Sequence, residues 1–221
     1  MCSTKIKSAL LFALLSFATL IGLTPQSLAT TALNKPSDGQ LSKKIVILGD
    51  SLTEGYGVVK EAAYPALLEE QLTKDGFNVQ IVNAGISGST TASGPSRIKW
   101  LMKSKPDIVF ITLGSNDGLR GVDLKETKKN LKATIQIAKE QKAKVWLAAL
   151  EVPPNYGKDY VTKFRSMFKQ VAEEEKIPLS PFLLDGVAGE KKFNQPDGIH
   201  PNEEGHKIIA EKMVKFFKSN L

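Results

Sequence analysis

The chain has 221 residues, of which 42% are hydrophobic and 24% charged, a balance that suits one soluble domain with a substantial core. Its one cysteine, Cys2, excludes a disulfide framework and a cysteine-ligated metal centre. The formal net charge of +7 comes from lysines interleaved with glutamates, as in Lys139-Glu140-Gln141-Lys142 and Glu173-Glu174-Glu175-Lys176. No aromatic-basic platform accompanies them, so the charge reads as a solvated surface and no nucleic-acid partner is expected.

Residues 1–29 have the layout of a secretory signal peptide. Lys5 and Lys7 form a positive start, Ser8 to Leu23 is uncharged and mostly apolar, and Ser27-Leu28-Ala29 offers small residues at a cleavage site. The apolar run falls short of the roughly twenty residues a membrane-spanning helix needs, so cleavage after Ala29 is expected in preference to a retained anchor. Cleavage would lower the charge of +7 by the two lysines removed, to +5. Residues 30–42, with Pro36, Ser37, Asp38 and Gly39, read as a flexible lead-in to a domain spanning residues 43–221. An exported, periplasmic or secreted monomer without stable membrane insertion is expected.

Ile45-Val46-Ile47 is a β-branched run of the kind buried on both faces of a parallel sheet, and it stops at Gly49. Tyr64 to Asp75 places Leu67, Leu68 and Leu72 on one helical face, and Asn78 to Asn83 predicts a second strand running into a glycine-rich loop from Ala84 to Thr91. A helix over Pro95 to Lys103 and a central strand over Ile108 to Leu113 follow. Gly114 to Gly121 reads as a turn, Thr127 to Gln141 as an amphipathic helix, and Val145 to Leu150 as the fourth strand. After Pro153-Pro154-Asn155-Tyr156-Gly157 come a helix over Tyr160 to Lys176, a short edge strand at Ile177-Pro178-Leu179, and a last helix capped by Asn202 and running through Phe217. Strand and helix alternate throughout, which predicts a three-layer α/β sandwich around a parallel sheet.

Ligands of such sheets gather where strands end at their carboxyl edge, which is where Ser51 falls in Gly49-Asp50-Ser51-Leu52. Alone, Ser51 could simply cap a helix. Far downstream, Asp197-Gly198-Ile199-His200-Pro201-Asn202 brings an acid and a histidine three positions apart. Acyl transfer needs a nucleophile, a base, an acid that orients the base, and donors for the developing oxyanion. Ser51, His200 and Asp197 fill the first three roles, and the N–H groups of Ser51 and Gly85 with the Asn116 amide are candidates for the fourth. An apolar groove beside Ser51 would draw on Tyr56, Ile86, Leu119, Pro153, Tyr156 and Ile199.

The blocks Gly49-Asp50-Ser51-Leu52, the Gly85 loop, Gly114-Ser115-Asn116-Asp117 and Asp197-Gly198-Ile199-His200-Pro201 resemble those of the SGNH (GDSL) hydrolase family, in matching order and spacing. The longer strings Gly49 to Tyr56, Asn116 to Gly121, Pro154 to Gly157 and Asp197 to Asn202 resemble its arylesterase, acyl-CoA thioesterase and lysophospholipase branch. The resemblance covers Lys44 to Leu221. It implies a flavodoxin-like sheet of five parallel strands, the catalytic and oxyanion residues just given, small-molecule or lipid esters as substrates, and neither metal nor cofactor. Ser115 stands where many relatives have glycine or alanine.

Three other readings are weaker. A carbohydrate O-acetylesterase would display several aromatics in its cleft, and only 7% of the residues are aromatic. A zinc site at His200-Pro201-Asn202-Glu203-Glu204-Gly205-His206 lacks the His-Glu-x-x-His spacing and is broken by Pro201. A non-catalytic surface binding module would have no use for the reactive groups. The ordinary α/β-hydrolase elbow, G-x-S-x-G, is absent because Thr53 stands two residues after Ser51.

Overall fold

The computed structural model describes residues 42–221. The expected signal peptide and all but the last residue of the lead-in lie outside them. The described residues form one five-stranded sheet of parallel strands in the order β2-β1-β3-β4-β5, with β1 Lys43–Gly49, β2 Val79–Gly85, β3 Ile108–Thr112, β4 Lys144–Ala149 and β5 Leu179–Phe182. This is the expected flavodoxin-like arrangement, with β1 and β3 at the switch point where ligands collect.

The helices are α1 Ser51–Glu54, α2 Tyr64–Lys74, α3 Gly94–Leu101, α4 Ser115–Leu119, α5 Leu124–Glu140, α6 Lys158–Glu175 and α7 Glu203–Asn220. Packing pairs α2 with α7, and sets α3 and α6 against α5. Every residue of β3 is buried, as its uninterrupted apolar run requires. Phe217 of α7 packs edge-to-face with Phe110 of β3 and Trp146 of β4, at 5.3 and 5.0 Å between ring centres, so α7 is pinned to the middle of the sheet. That position matters because the loop leading into α7 carries Asp197 and His200.

Several boundaries differ from the sequence reading, each for a local reason. Helix α5 starts at Leu124, ahead of Thr127, because the Asp123 carboxylate accepts the Lys125 N–H at 2.8 Å and caps it. Strand β5 begins at Leu179, after the expected Ile177. The Ile177 N–H closes the end of α6 by donating to Ala172 O, with Lys176 in the left-handed conformation. Pro181 is tolerated in β5 because that strand is at an edge. Strand β2 runs on to Gly85, and the expected turn after Gly114 is the short helix α4. Asn202 caps α7 as expected, its side chain accepting the Gly205 N–H at 3.1 Å.

On the surface, Lys128 and Lys132 of α5 pair with Glu174 of α6 at 2.7 and 3.0 Å, the interleaved pattern expected of a solvated face. No helix of the described residues is long and apolar enough to cross a membrane.

Candidate active site

Strand β1 ends at Gly49, and Asp50 starts the next element. Its buried carboxylate accepts the Leu52 N–H at 3.1 Å, so Asp50 caps α1 and Ser51 is the first helical residue. The capping that Ser51 could have performed therefore falls to its neighbour, and the Ser51 hydroxyl is left for other work. Ser51 Oγ lies 2.9 Å from His200 Nε2, and His200 Nδ1 lies 2.7 Å from Asp197 Oδ2.

The other Asp197 oxygen accepts the N–H groups of Ile199 and His200, both at 3.0 Å. These bonds, with Ile199 N–H the strongest influence and the imidazole next, hold the Asp197 carboxyl down at about 2. An ionised carboxylate at Nδ1 places the imidazole proton there, which leaves Nε2 to accept from the Ser51 hydroxyl. Because acid and base sit on one loop, that half of the arrangement is set locally. The other half spans 149 positions of sequence and is set by α7 packing on the sheet.

On the oxyanion side the structure departs from the sequence reading. The Gly85 N–H is the end of β2 and donates to Asn83 Oδ1 at 2.9 Å, while the space a Cβ would need at Gly85 is taken by the Glu54 backbone nitrogen 2.1 Å away. Gly85 is thus a packing glycine, in a place where strand and helix backbones touch. The pocket wall instead contains Gly88, three residues on, with Ser51 and Asn116. Gly88 has a left-handed φ of 75°. Its loop is tied down twice: the Glu54 carboxylate accepts both the N–H and the hydroxyl of Ser87, at 2.6 Å for the former, and buried Asp117 accepts the N–H and hydroxyl of Thr91 at 2.9 and 2.5 Å. The Asn116 amide nitrogen donates to Ser89 O at 3.1 Å and lies 3.5 Å from Asp50 Oδ2, which holds the side chain in the pocket wall.

The pocket has a volume of about 600 Å³. Beyond Ser51 and His200 its wall is largely apolar, with Leu119, Val152, Pro153, Phe182, Leu184 and Ile199. Of the six expected substrate contacts, Tyr56, Leu119, Pro153 and Ile199 line it. Ile86 and Tyr156 do not: Ile86 is 55% exposed beside the wall, and Tyr156 turns its hydroxyl to Leu119 O at 3.0 Å, bracing a lining residue from behind.

The profile of the GDSL-like Lipase/Acylhydrolase family matches residues 47–208, a span that contains every residue of the Ser51, His200 and Asp197 arrangement. The chain belongs to that family. It is 40% identical over 173 residues to an arylesterase of Vibrio mimicus, covering 78% of this chain and 86% of that one. It is 38% identical over 172 residues to thioesterase 1/protease 1/lysophospholipase L1 of Escherichia coli (strain K12), covering 77% and 81%. Among solved structures, that of TesA superposes with a TM-score of 0.78 at 37% identity, covering 80% of this chain and 99% of that one.

Near this GDSL-family site the chain buries two ionisable groups, Asp50 beside the serine and His206 against Tyr64. Burial pushes the Asp50 carboxyl up to about 6, opposed by hydrogen bonds from the Leu52 N–H and Ser115. His206, which the zinc reading grouped with His200, points into the core instead. Its Nδ1 accepts the Tyr64 N–H at 3.2 Å, its ring stacks on Tyr64, and burial holds it down at about 4. The two histidines therefore serve different elements. Sequence reasoning did not single out Gly88, which lines the pocket three residues from the glycine chosen, nor the bonds by which Glu54 and Asp117 fasten its loop. A carboxylate beside a serine-rich loop gives no periodic signal, so only the fold could join them.

Proposed function

We propose that this GDSL-family protein is an exported serine esterase that hydrolyses carboxylic esters and thioesters of short- to medium-chain acyl groups, lysophospholipids among them. The observation that carries the reading is the continuous line Asp197, His200, Ser51 opening onto an apolar cavity.

Ser51 Oγ attacks the acyl carbon while its proton passes to His200 Nε2. Ionised Asp197 stabilises the imidazolium and fixes its orientation. The oxyanion is met by the N–H groups of Ser51 and Gly88 and by the Asn116 amide. As the tetrahedral species collapses, the bond to the alcohol or thiol breaks and Nε2 returns the proton to the leaving group. Water, deprotonated by the same nitrogen, then attacks the acyl-serine, and collapse frees the acid and restores Ser51.

The wall is largely apolar, with Leu119, Val152, Leu184 and Ile199 outnumbering the aromatic Tyr56 and Phe182, which supports an acyl group over a sugar. Expression of the full chain, with recovery of processed protein from the exported fraction, tests the location. The activity is tested by a chain-length series of esters and thioesters on the purified protein, with Ser51→Ala as control. Hydrolysis of neither class, or full activity in Ser51→Ala, would overturn the reading.

A further inference from the structure

His200 approaches Ser51 from a loop that belongs to the far end of the chain, and something must hold the two loops in register. The side chain that bridges them is Gln195. Its amide nitrogen donates to Tyr56 O at 2.6 Å, on the segment just after α1, and to Pro201 O at 3.0 Å, on the residue following His200. Both partners are carbonyl oxygens, so the donating end of the amide must face them and the assignment of nitrogen and oxygen is fixed.

The bridge has been given room. A Cβ at Gly57, whose φ is 78°, would fall 2.1 Å from Gln195 Oε1. On the loop side the Gln195 backbone is already committed, its N–H to His200 O at 2.8 Å and its carbonyl to the Gly198 N–H at 2.9 Å. The residue that fastens the loop to the Tyr56 segment is thus itself locked to the base. Directly above, the Tyr56 ring lies against the imidazole, with ring centres 4.6 Å apart and planes tilted by 41°.

We propose that Gln195 is a positioning residue for the base: by fixing the Tyr56 backbone it seats the Tyr56 ring on His200 and keeps Nε2 within reach of Ser51. Asp197 orients the imidazole about its Nδ1 edge, and the Gln195 and Tyr56 pair restrains the ring face. The inference rests on the proposed roles of Ser51 and His200.

The test is steady-state kinetics on a soluble aryl ester with Gln195→Ala, Gln195→Glu, Tyr56→Ala, Tyr56→Phe and the double variant Gln195→Ala/Tyr56→Ala. Alongside runs the rate at which a serine-directed phosphonate labels Ser51. Small misplacements of reacting groups cost up to about a hundredfold, so Gln195→Ala is expected to lower kcat by about ten- to a hundredfold with little change in KM, and to slow labelling in step. Gln195→Glu, which sets a carboxylate against two carbonyls, should be no better. Tyr56→Phe should retain the rate, and the double variant should lose little more than Tyr56→Ala alone, because the two act as one unit. Wild-type kcat in Gln195→Ala, or losses that multiply in the double variant, would overturn the proposal. So would a fall in thermal stability that accounts for the whole effect. An active Ser51→Ala control would instead bring down the serine reading itself.

Discussion

Ser51 Oγ and His200 Nε2 stand 2.9 Å apart although 149 positions separate them in the chain. The contact exists because β1 and α7 are both anchored to the middle of the sheet, β1 by its neighbours β2 and β3, and α7 by Phe217 against Phe110 and Trp146. Groups that act as a unit lose their effect together. Ser51→Ala and His200→Ala should each lower kcat by about four orders of magnitude or more, and the double variant should be scarcely worse than either. Comparison of kcat across the three on one ester checks this.

Asn116→Ala should lower kcat by about a hundred- to a thousandfold with a modest effect on KM, as the removal of one oxyanion donor does. Gly85→Ala should behave differently, because its methyl would collide with the Glu54 backbone. Its loss should appear as a lower melting temperature in a thermal scan, in contrast to a well-folded, slow Asn116→Ala.

Asp50 is buried and its carboxyl is raised to about 6. A carboxyl raised above its unfolded value near 4 contributes stability at low pH that is lost as pH climbs between those two values. Above about pH 6 the folded protein must therefore hold an unfavourable buried charge. Asp50→Asn, which keeps the acceptor for the Leu52 N–H, should be more stable at pH 7 to 8 by an amount on the order of 2 kcal/mol. It should also be slower by about tenfold or more, since its new amide would face the Asn116 donor in place of an acceptor. Chemical denaturation at pH 5 and pH 8, with kcat at pH 8, checks both halves.

His206 gives the opposite slope. Its folded value of about 4 lies below the unfolded one of roughly 6.5, so its contribution is complete above 6.5 and disappears as pH falls toward 4. The difference in unfolding free energy between wild type and His206→Asn should shrink across that window. A constant difference from pH 7 to pH 4 would show that His206 does not titrate as burial requires.

The groove predicts a preference that can be moved. Ala188 is an exposed residue on its wall near Phe182 and Leu184. Ala188→Phe should shift the ratio of kcat/KM values toward shorter acyl chains by about tenfold, read from a C2 to C12 ester series.

The parallel sheet was legible because apolar runs such as Ile108 to Thr112 and the regular return of helices leave few alternatives, while the order of its strands came from the family resemblance alone. Ser51, Asp197 and His200 were singled out because Ser51 follows the end of an apolar strand run and the spacing of Asp197 and His200 fits a local loop ahead of the last helix. The oxyanion loop was harder. Within Ala84 to Thr91 either Gly85 or Gly88 could approach a substrate, and which one does depends on β2 running a residue beyond Ala84 to pair Gly85 with Gly49. Edge positions obscured β5 in the same way, since the bonds of Ile177 belong to a helix end that composition alone does not mark. Gln195 gave no signal because its partners are backbone carbonyls, whose placement no residue type announces.

The Lys43 side chain, at the start of β1, donates to the carbonyl of Leu221. Residue 221 is thereby held at the amino edge of the sheet, a full strand length from the pocket at the carboxyl edge. A solid support coupled on the face around Lys43 and residue 221 would leave the mouth pointing away from the matrix. Immobilised preparations should then work on bulky amphiphiles without a spacer between protein and resin.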